Sequence, residues 1–272
     1  MTRPHVENLD TEHMPRTPWR PGELPDGLTI RELFPDSDTG ANTAIIDFPE
    51  GWITTGPLAC EADIELYVLN GELRLAGHLL KAGFYAYHPA ASPLSDWYAA
   101  RASSALVIFN RSPTFQRSGA PGGRRNRDTV PALNTWEMPW DDPLSASDPT
   151  EDYRAGVMVK VLRVDEATGS STHLAGLMPG WFMPGTEEHP VSEENFCLHG
   201  DVHIGVVGDG PGYTMTKGIY LGRPPGIVHG PIVSKNGNIN FCKTHGRLGI
   251  KYERHPDAKA IIDRHLTEYP WR

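Results

Sequence analysis

The segment GWFMPGTEEHPVSEENFCLHGD, residues 180–201, decides how this chain is read, because an earlier segment carries the same landmarks. Gly51-Trp52 matches Gly180-Trp181 at an offset of 129 residues, and Leu69-Asn70-Gly71-Glu72 matches Leu198-His199-Gly200-Asp201 at that same offset, without a gap. Further on, Gly83-Phe84-Tyr85 with Pro89 matches Gly218-Ile219-Tyr220 with Pro224, after a six-residue insertion in the second copy. The insertion falls in the Gly-rich stretch Gly205–Gly212. Three anchors in one order point to a duplicated unit of roughly 100 residues.

Both copies read as β. Short β-rich runs punctuated by turn residues recur at Ala44–Phe48, Leu66–Leu69, Leu106–Phe109, Val157–Val164, Val202–Val207 and Ile239–Cys242, the spacing of an all-β sandwich or barrel. One helical pattern begins at Pro256 and Asp257 and continues to about Leu266. The resulting division is an N-terminal arm over 1–39, a first barrel over 40–112, an irregular connector over 113–155, a second barrel over 156–250 and a C-terminal helix or tail over 251–272.

A net charge of −9 and an isoelectric point near 5.7 argue against a nucleic-acid partner. The one basic run, Arg124-Arg125-Asn126-Arg127, lies among Gly, Pro and Ser and reads as a solvated loop. No apolar run approaches the ~18 residues that span a bilayer, and Met1 to Arg20 has no apolar core of a secretory signal. Cys60, Cys197 and Cys242 are too few and too scattered for a disulfide framework, so a cytoplasmic location is expected.

The chemistry concentrates in the second copy. Glu187 and His189, two residues apart on a strand, point to one face. Glu193 follows at a spacing of four, and His229 arrives later, after Arg223-Pro224-Pro225-Gly226. Carboxylates and imidazoles converging from several strands suit a divalent cation such as Fe, Mn, Ni or Zn, and with an open position they describe oxygen-activating ferrous sites. A register slip of one would bring in Glu188 or Glu194 instead. The bland alternative is a surface acidic cluster with two unrelated histidines.

At these residues the chain resembles the cupin superfamily. The family pattern G-x5-H-x-H-x3/4-E-x6-G is met as Glu187-x-His189-x3-Glu193-x6-Gly200, with a glutamate where the first histidine usually stands. The pattern G-x5-P-x-G-x2-H-x3-N is met as Gly218-x5-Pro224-x-Gly226-x2-His229, with Val233 in place of the asparagine. The resemblance implies two tandem cupin (jelly-roll) β-barrels with a short C-terminal helix, akin to bicupins of the anti-sigma-regulator (ChrR-like) and dihydroxyacetophenone-dioxygenase-like types. It implies His189, Glu193 and His229 as metal ligands, with Glu187 as a fourth ligand or a general base. Fe(II) is the metal expected first, with Mn, Zn or Ni as alternatives.

In the first copy the four ligand positions become Leu58, Cys60, Ile64 and Leu94, so a structural barrel without metal is expected there. Asp63 and Glu65 alternate to the opposite face. Trp181, His203, Tyr220 and Arg223 are the candidate pocket residues. Each also has an ordinary reading: aromatic packing for Trp181 and Tyr220, a packed polar role for His203, and an ion pair with a surface acid for Arg223. His173, His199, His245 and Cys197 read as ordinary polar or packed residues. The function these features imply is a metal-dependent dioxygenase acting with O2 on a small phenolic or enolisable carbonyl compound. A redox-neutral isomerase, lyase or hydrolase and a non-catalytic metal sensor or scaffold are the other readings. No membrane or nucleic-acid partner is expected, and a homodimer is, since a second subunit commonly covers open sheet edges in this family.

Overall fold

The computed structural model describes residues 3–117, 128–141, 156–205, 212–254, 256, 257 and 260. It is all-β, as expected, and divides into two units: residues 1–4 with 13–138, and 5–12 with 139–272. The helix expected near Leu266 and the basic run at 124–127 lie largely outside the described residues. Among the described residues no helix is long and apolar enough to cross a membrane.

The first unit is built on an antiparallel sheet ordered Val130–Asn134, Phe84–His88, Ile64–Asn70, Ser103–Phe109, Asn42–Phe48, Thr29–Glu32 and Thr17–Pro18. Short strands, including Leu58–Cys60, Pro93–Leu94 and Glu72–Leu75, form two further small sheets. One core joins them. Trp52 and Trp97 meet edge to face at 5.6 Å, and Phe48, Phe109 and Phe115 pack around them. Each such aromatic buries roughly 150–250 Å².

The second unit repeats the order of the first six of these strands. Its main sheet runs Val6–Asp10, Ile219–Arg223, Glu193–Ile204, Asn238–Thr244, Ser171–Leu177 and Val157–Val164. The register repeats along with the order. Ile64 faces His88 where Glu193 faces Arg223, and Leu94 faces Leu58 where His229 bridges Glu187. Gly71 and Gly200 close equivalent turns at φ +78° and +76°. A Cβ would fall 2.3 Å from the Ser103 hydroxyl at the first and 1.9 Å from the Gly237 carbonyl at the second, so only glycine fits.

Two segments differ from the division read from sequence. Residues 1–39 are not a simple arm: Thr17–Pro18 and Thr29–Glu32 extend the first sheet, while Val6–Asp10 is a strand of the second unit. The edge of each sheet leaves backbone donors and acceptors to be paired, and these strands pair them. Within 113–155, Phe115–Arg117 and Val130–Asn134 are strands of the first unit. At the far end Lys251–Arg254, read as the start of the tail, pairs Gly185–Glu188.

Candidate metal centre

Four side chains meet inside the second unit. Glu187 lies in the Gly185–Glu188 strand and His189 follows it; Glu193 opens the long strand; His229 is delivered by the loop after Ile219–Arg223. Backbone hydrogen bonds between Glu187 and His229, in both directions at 2.9 and 3.0 Å, lock two of these elements together. One donor atom each from Glu187, His189 and His229 lie within 4.8 Å of one another. The Glu193 carboxylate lies 3.4 Å from Nε2 of His189 and 3.6 Å from Nε2 of His229.

Backbone carbonyls orient both imidazoles. Nδ1 of His189 lies 2.9 Å from the Gly249 carbonyl, and Nδ1 of His229 lies 3.1 Å from the Ile227 carbonyl. A carbonyl can only accept, so each Nδ1 carries the proton and each Nε2 turns its lone pair to the common centre. Two imidazoles and two carboxylates on one point fit a divalent cation of the borderline class. Electrostatics agree. Burial alone would push the Glu193 carboxyl up, but His229, Arg223 and His189 outweigh it and hold the group down at about 2. Burial would lower His229, yet Glu187 and Glu193 raise it. Two carboxylates within reach of two imidazole nitrogens are a donor set that could hold a divalent cation.

A cavity of about 450 Å³ adjoins the centre. Its walls are largely apolar and include Val157, Val159, Leu177, Met183, Ile204 and Ile232. Two polar atoms in its wall, the Trp181 indole N–H and Oδ1 of Asn240, have no protein partner among the described residues. His173 also faces the cavity, with burial holding its imidazole down at about 4 and therefore neutral near pH 7.

Of the four residues read as pocket walls, Trp181 and Arg223 line this cavity. Tyr220 and His203 do not. Leu221 and Arg223 face the cavity on one strand, Val202 and Ile204 on another, so Tyr220 and His203 alternate to the opposite faces. Tyr220 instead donates to Glu194 at 2.7 Å, and His203 pairs with Thr214 at 3.0 Å. Arg223 pairs with acids, one partly exposed and one buried beside the histidines. It is 3% exposed and lies between Glu193 and Glu7. Pairing in this register leaves Glu194 bonded to Tyr220 and His245, and Glu188 bonded to Lys251. His173 was readable only as a generic polar residue until strand pairing set it inside, and Glu7, 216 residues from Arg223, carried no local signal.

Solved structures of similar shape give the fold. A Nostoc punctiforme protein provisionally named a dioxygenase matches with a TM-score of 0.77 and 21% identity over 91% of this chain and 85% of that one. Oxalate decarboxylase of Bacillus subtilis matches at 0.57 and 13% identity over 97% and 84%. A cupin 2 conserved barrel domain protein of Leptotrichia buccalis matches at 0.54 and 12% identity over 80% and 89%. At such identities the likeness fixes the architecture, two units of the cupin fold, and leaves the reaction open. No curated protein matches the chain. The model of the family described as a domain of unknown function, DUF4437, matches residues 21–251, and the chain belongs to that family.

Proposed function

We propose that the second unit is a non-heme iron dioxygenase acting on a small phenolic or enolisable carbonyl compound. The observation that carries this reading is an apolar cavity of about 450 Å³ opening on a buried carboxylate–imidazole donor set. His189, Glu193 and His229 would hold the metal, with Glu187 beside them. A ferrous ion bound there supplies Lewis acidity and redox chemistry with O2.

The protein groups have separate tasks. Glu187, whose Oε1 lies 3.3 Å from Nε2 of His229, accepts the proton that a phenol or enolisable ketone loses as its oxygen becomes anionic. Val157, Val159, Leu177 and Ile232 hold the apolar body of the substrate and exclude water.

Untagged protein analysed for metals by elemental mass spectrometry, then tested for O2 uptake with hydroxyacetophenones and 1,3-diketones, decides the matter. Near-stoichiometric iron with substrate-dependent O2 uptake is expected. Stoichiometric zinc or manganese with no uptake overturns it. The second carboxylate favours one other reading, redox-neutral lyase or isomerase chemistry on Mn, Zn or Ni, for which turnover without O2 is the sign.

A further inference from the structure

The Val6–Asp10 strand pairs Ile219–Arg223, with Val6 opposite Gly222 and Leu9 opposite Tyr220. The register shifts between those pairs, and Asn8 takes φ +51°, a conformation asparagine tolerates better than most residues. A bulge of this kind re-aims a side chain. Here the side chain is Glu7, and it meets Arg223: Nε donates to Oε1 at 2.7 Å and Nη2 donates to Oε2 at 3.1 Å. Tyr213 donates its hydroxyl to the same carboxylate. The third arm of the guanidinium, Nη1, donates to Oε1 of Glu193 at 2.9 Å, while Oε2 of Glu193 lies 3.4 Å from Nε2 of His189.

We propose that Glu7 is a positioning residue of the metal centre, acting through Arg223 on Glu193. The inference rests on the metal reading above. A bidentate clamp from Glu7 fixes the plane of the guanidinium, and a fixed plane holds Oε1 of Glu193 beside His229 and turns Oε2 to His189. Charge matters as much as geometry. Glu7 neutralises the buried arginine, which otherwise would be balanced by Glu193 alone and would compete with a metal for that carboxylate.

The first unit supplies an internal comparison. There Val130 faces Tyr87 and Leu133 faces Tyr85, with the same register shift between them, so Pro131 holds the place of Glu7. His88 holds the place of Arg223 and Ile64 that of Glu193. All three members of the relay are replaced together in the unit that lacks the metal ligands.

The test is Co(II) titration of the full-length protein, followed by visible absorption, on wild type, Glu7→Gln, Leu9→Ala, Arg223→Gln and the Glu7→Gln/Arg223→Gln double variant. Loss of an outer partner of a metal ligand weakens affinity by about 10–100-fold. Glu7→Gln is expected to lose about tenfold, with a shift in the Co(II) bands. Leu9→Ala, which loosens the same strand but keeps the carboxylate, should stay within about twofold of wild type. In the Arg223→Gln background Glu7→Gln should change nothing further, because the route to Glu193 is gone. Wild-type affinity and spectrum in Glu7→Gln, an equal loss in Leu9→Ala, or a full additive loss in the double variant overturns the proposal. Failure of wild type to bind Co(II) overturns the metal reading itself.

Discussion

In the first unit Tyr85 donates its hydroxyl to Glu65 at 2.8 Å; in the second Tyr220 donates to Glu194 at 2.7 Å. These pairs occupy equivalent register positions, one residue along from Ile64 and from Glu193. The face of the sheet away from the barrel interior has thus kept the same buried polar pair in both units. The interior has not. Leu58, Cys60, Ile64 and Leu94 are each at most 3% exposed and join one continuous core with Trp52 and Trp97. Their counterparts Glu187, His189, Glu193 and His229 sit at the edge of a cavity. One backbone therefore serves two purposes, set by which interior side chains close the barrel and which leave it hollow. Apolar side chains fill the first interior at near-crystalline density, whereas in the second the two carboxylates and two imidazoles border an open cavity.

The comparison breaks most sharply under ligand removal. His229→Ala should abolish stoichiometric metal, an effect beyond the ~100-fold that loss of an outer partner causes; elemental mass spectrometry of the purified variant reads it. Leu94→Ala, the matching change in the first unit, should leave metal content untouched. It should instead cost about 2–5 kcal/mol in denaturant unfolding, because it opens a cavity in a closed core. Metal loss in Leu94→Ala would erase the division of labour.

A second contrast is in acid. His88 stands where Arg223 stands, without a carboxylate opposite, and burial followed by the charge of His78 holds it down at about 4. A histidine in the unfolded chain protonates near 6.5. Between pH 6.5 and 4 the unfolded state therefore takes up a proton that folded His88 refuses, so stability falls as pH falls; above pH 6.5 the group contributes nothing. The loss reaches about 3 kcal/mol near pH 4. His88→Phe should flatten that part of the unfolding profile, and an unchanged profile would show that His88 protonates freely in the fold. The smallest effect is on the shared pair. Tyr85→Phe and Tyr220→Phe should each cost about 1–3 kcal/mol in stability and leave metal affinity alike in both variants. A drop in Co(II) affinity for Tyr220→Phe alone would extend the metal centre through the sheet to Glu194.

The duplication was legible because its anchors are short, unspaced and glycine-marked. Gly71 and Gly200 both need left-handed backbone, and that requirement survives when the surrounding side chains change. The clustering of acids and imidazoles was legible for a similar reason: Glu187, His189 and Glu193 fall within one strand–turn–strand, so spacing alone brings them near. The pocket was less readable. Tyr220 and His203 were placed inside by proximity to the motif, but Tyr220 alternates away from Leu221 and Arg223, and a register shift between Cys197 and His199 reverses the parity of the long strand, so that Val202 and Ile204 face the cavity and His203 does not. Lys251–Arg254, read as the start of a tail, pairs Gly185–Glu188 because an open edge next to the site needs backbone partners.

By itself the sequence determined what local chemistry can determine: an all-β chain, two copies of one unit, turns at fixed glycines and a metal-ligand pattern confined to the second copy. Tertiary structure decided what depends on distant pairing. It set Glu7 against Arg223 across 216 residues, turned His173 and Asn240 toward the cavity, and filled one barrel while hollowing the other. The physical reason is that spacing along a strand fixes alternation but not which face becomes interior. That face is chosen only when the whole sheet closes and the total side-chain volume either fills the space or leaves it open.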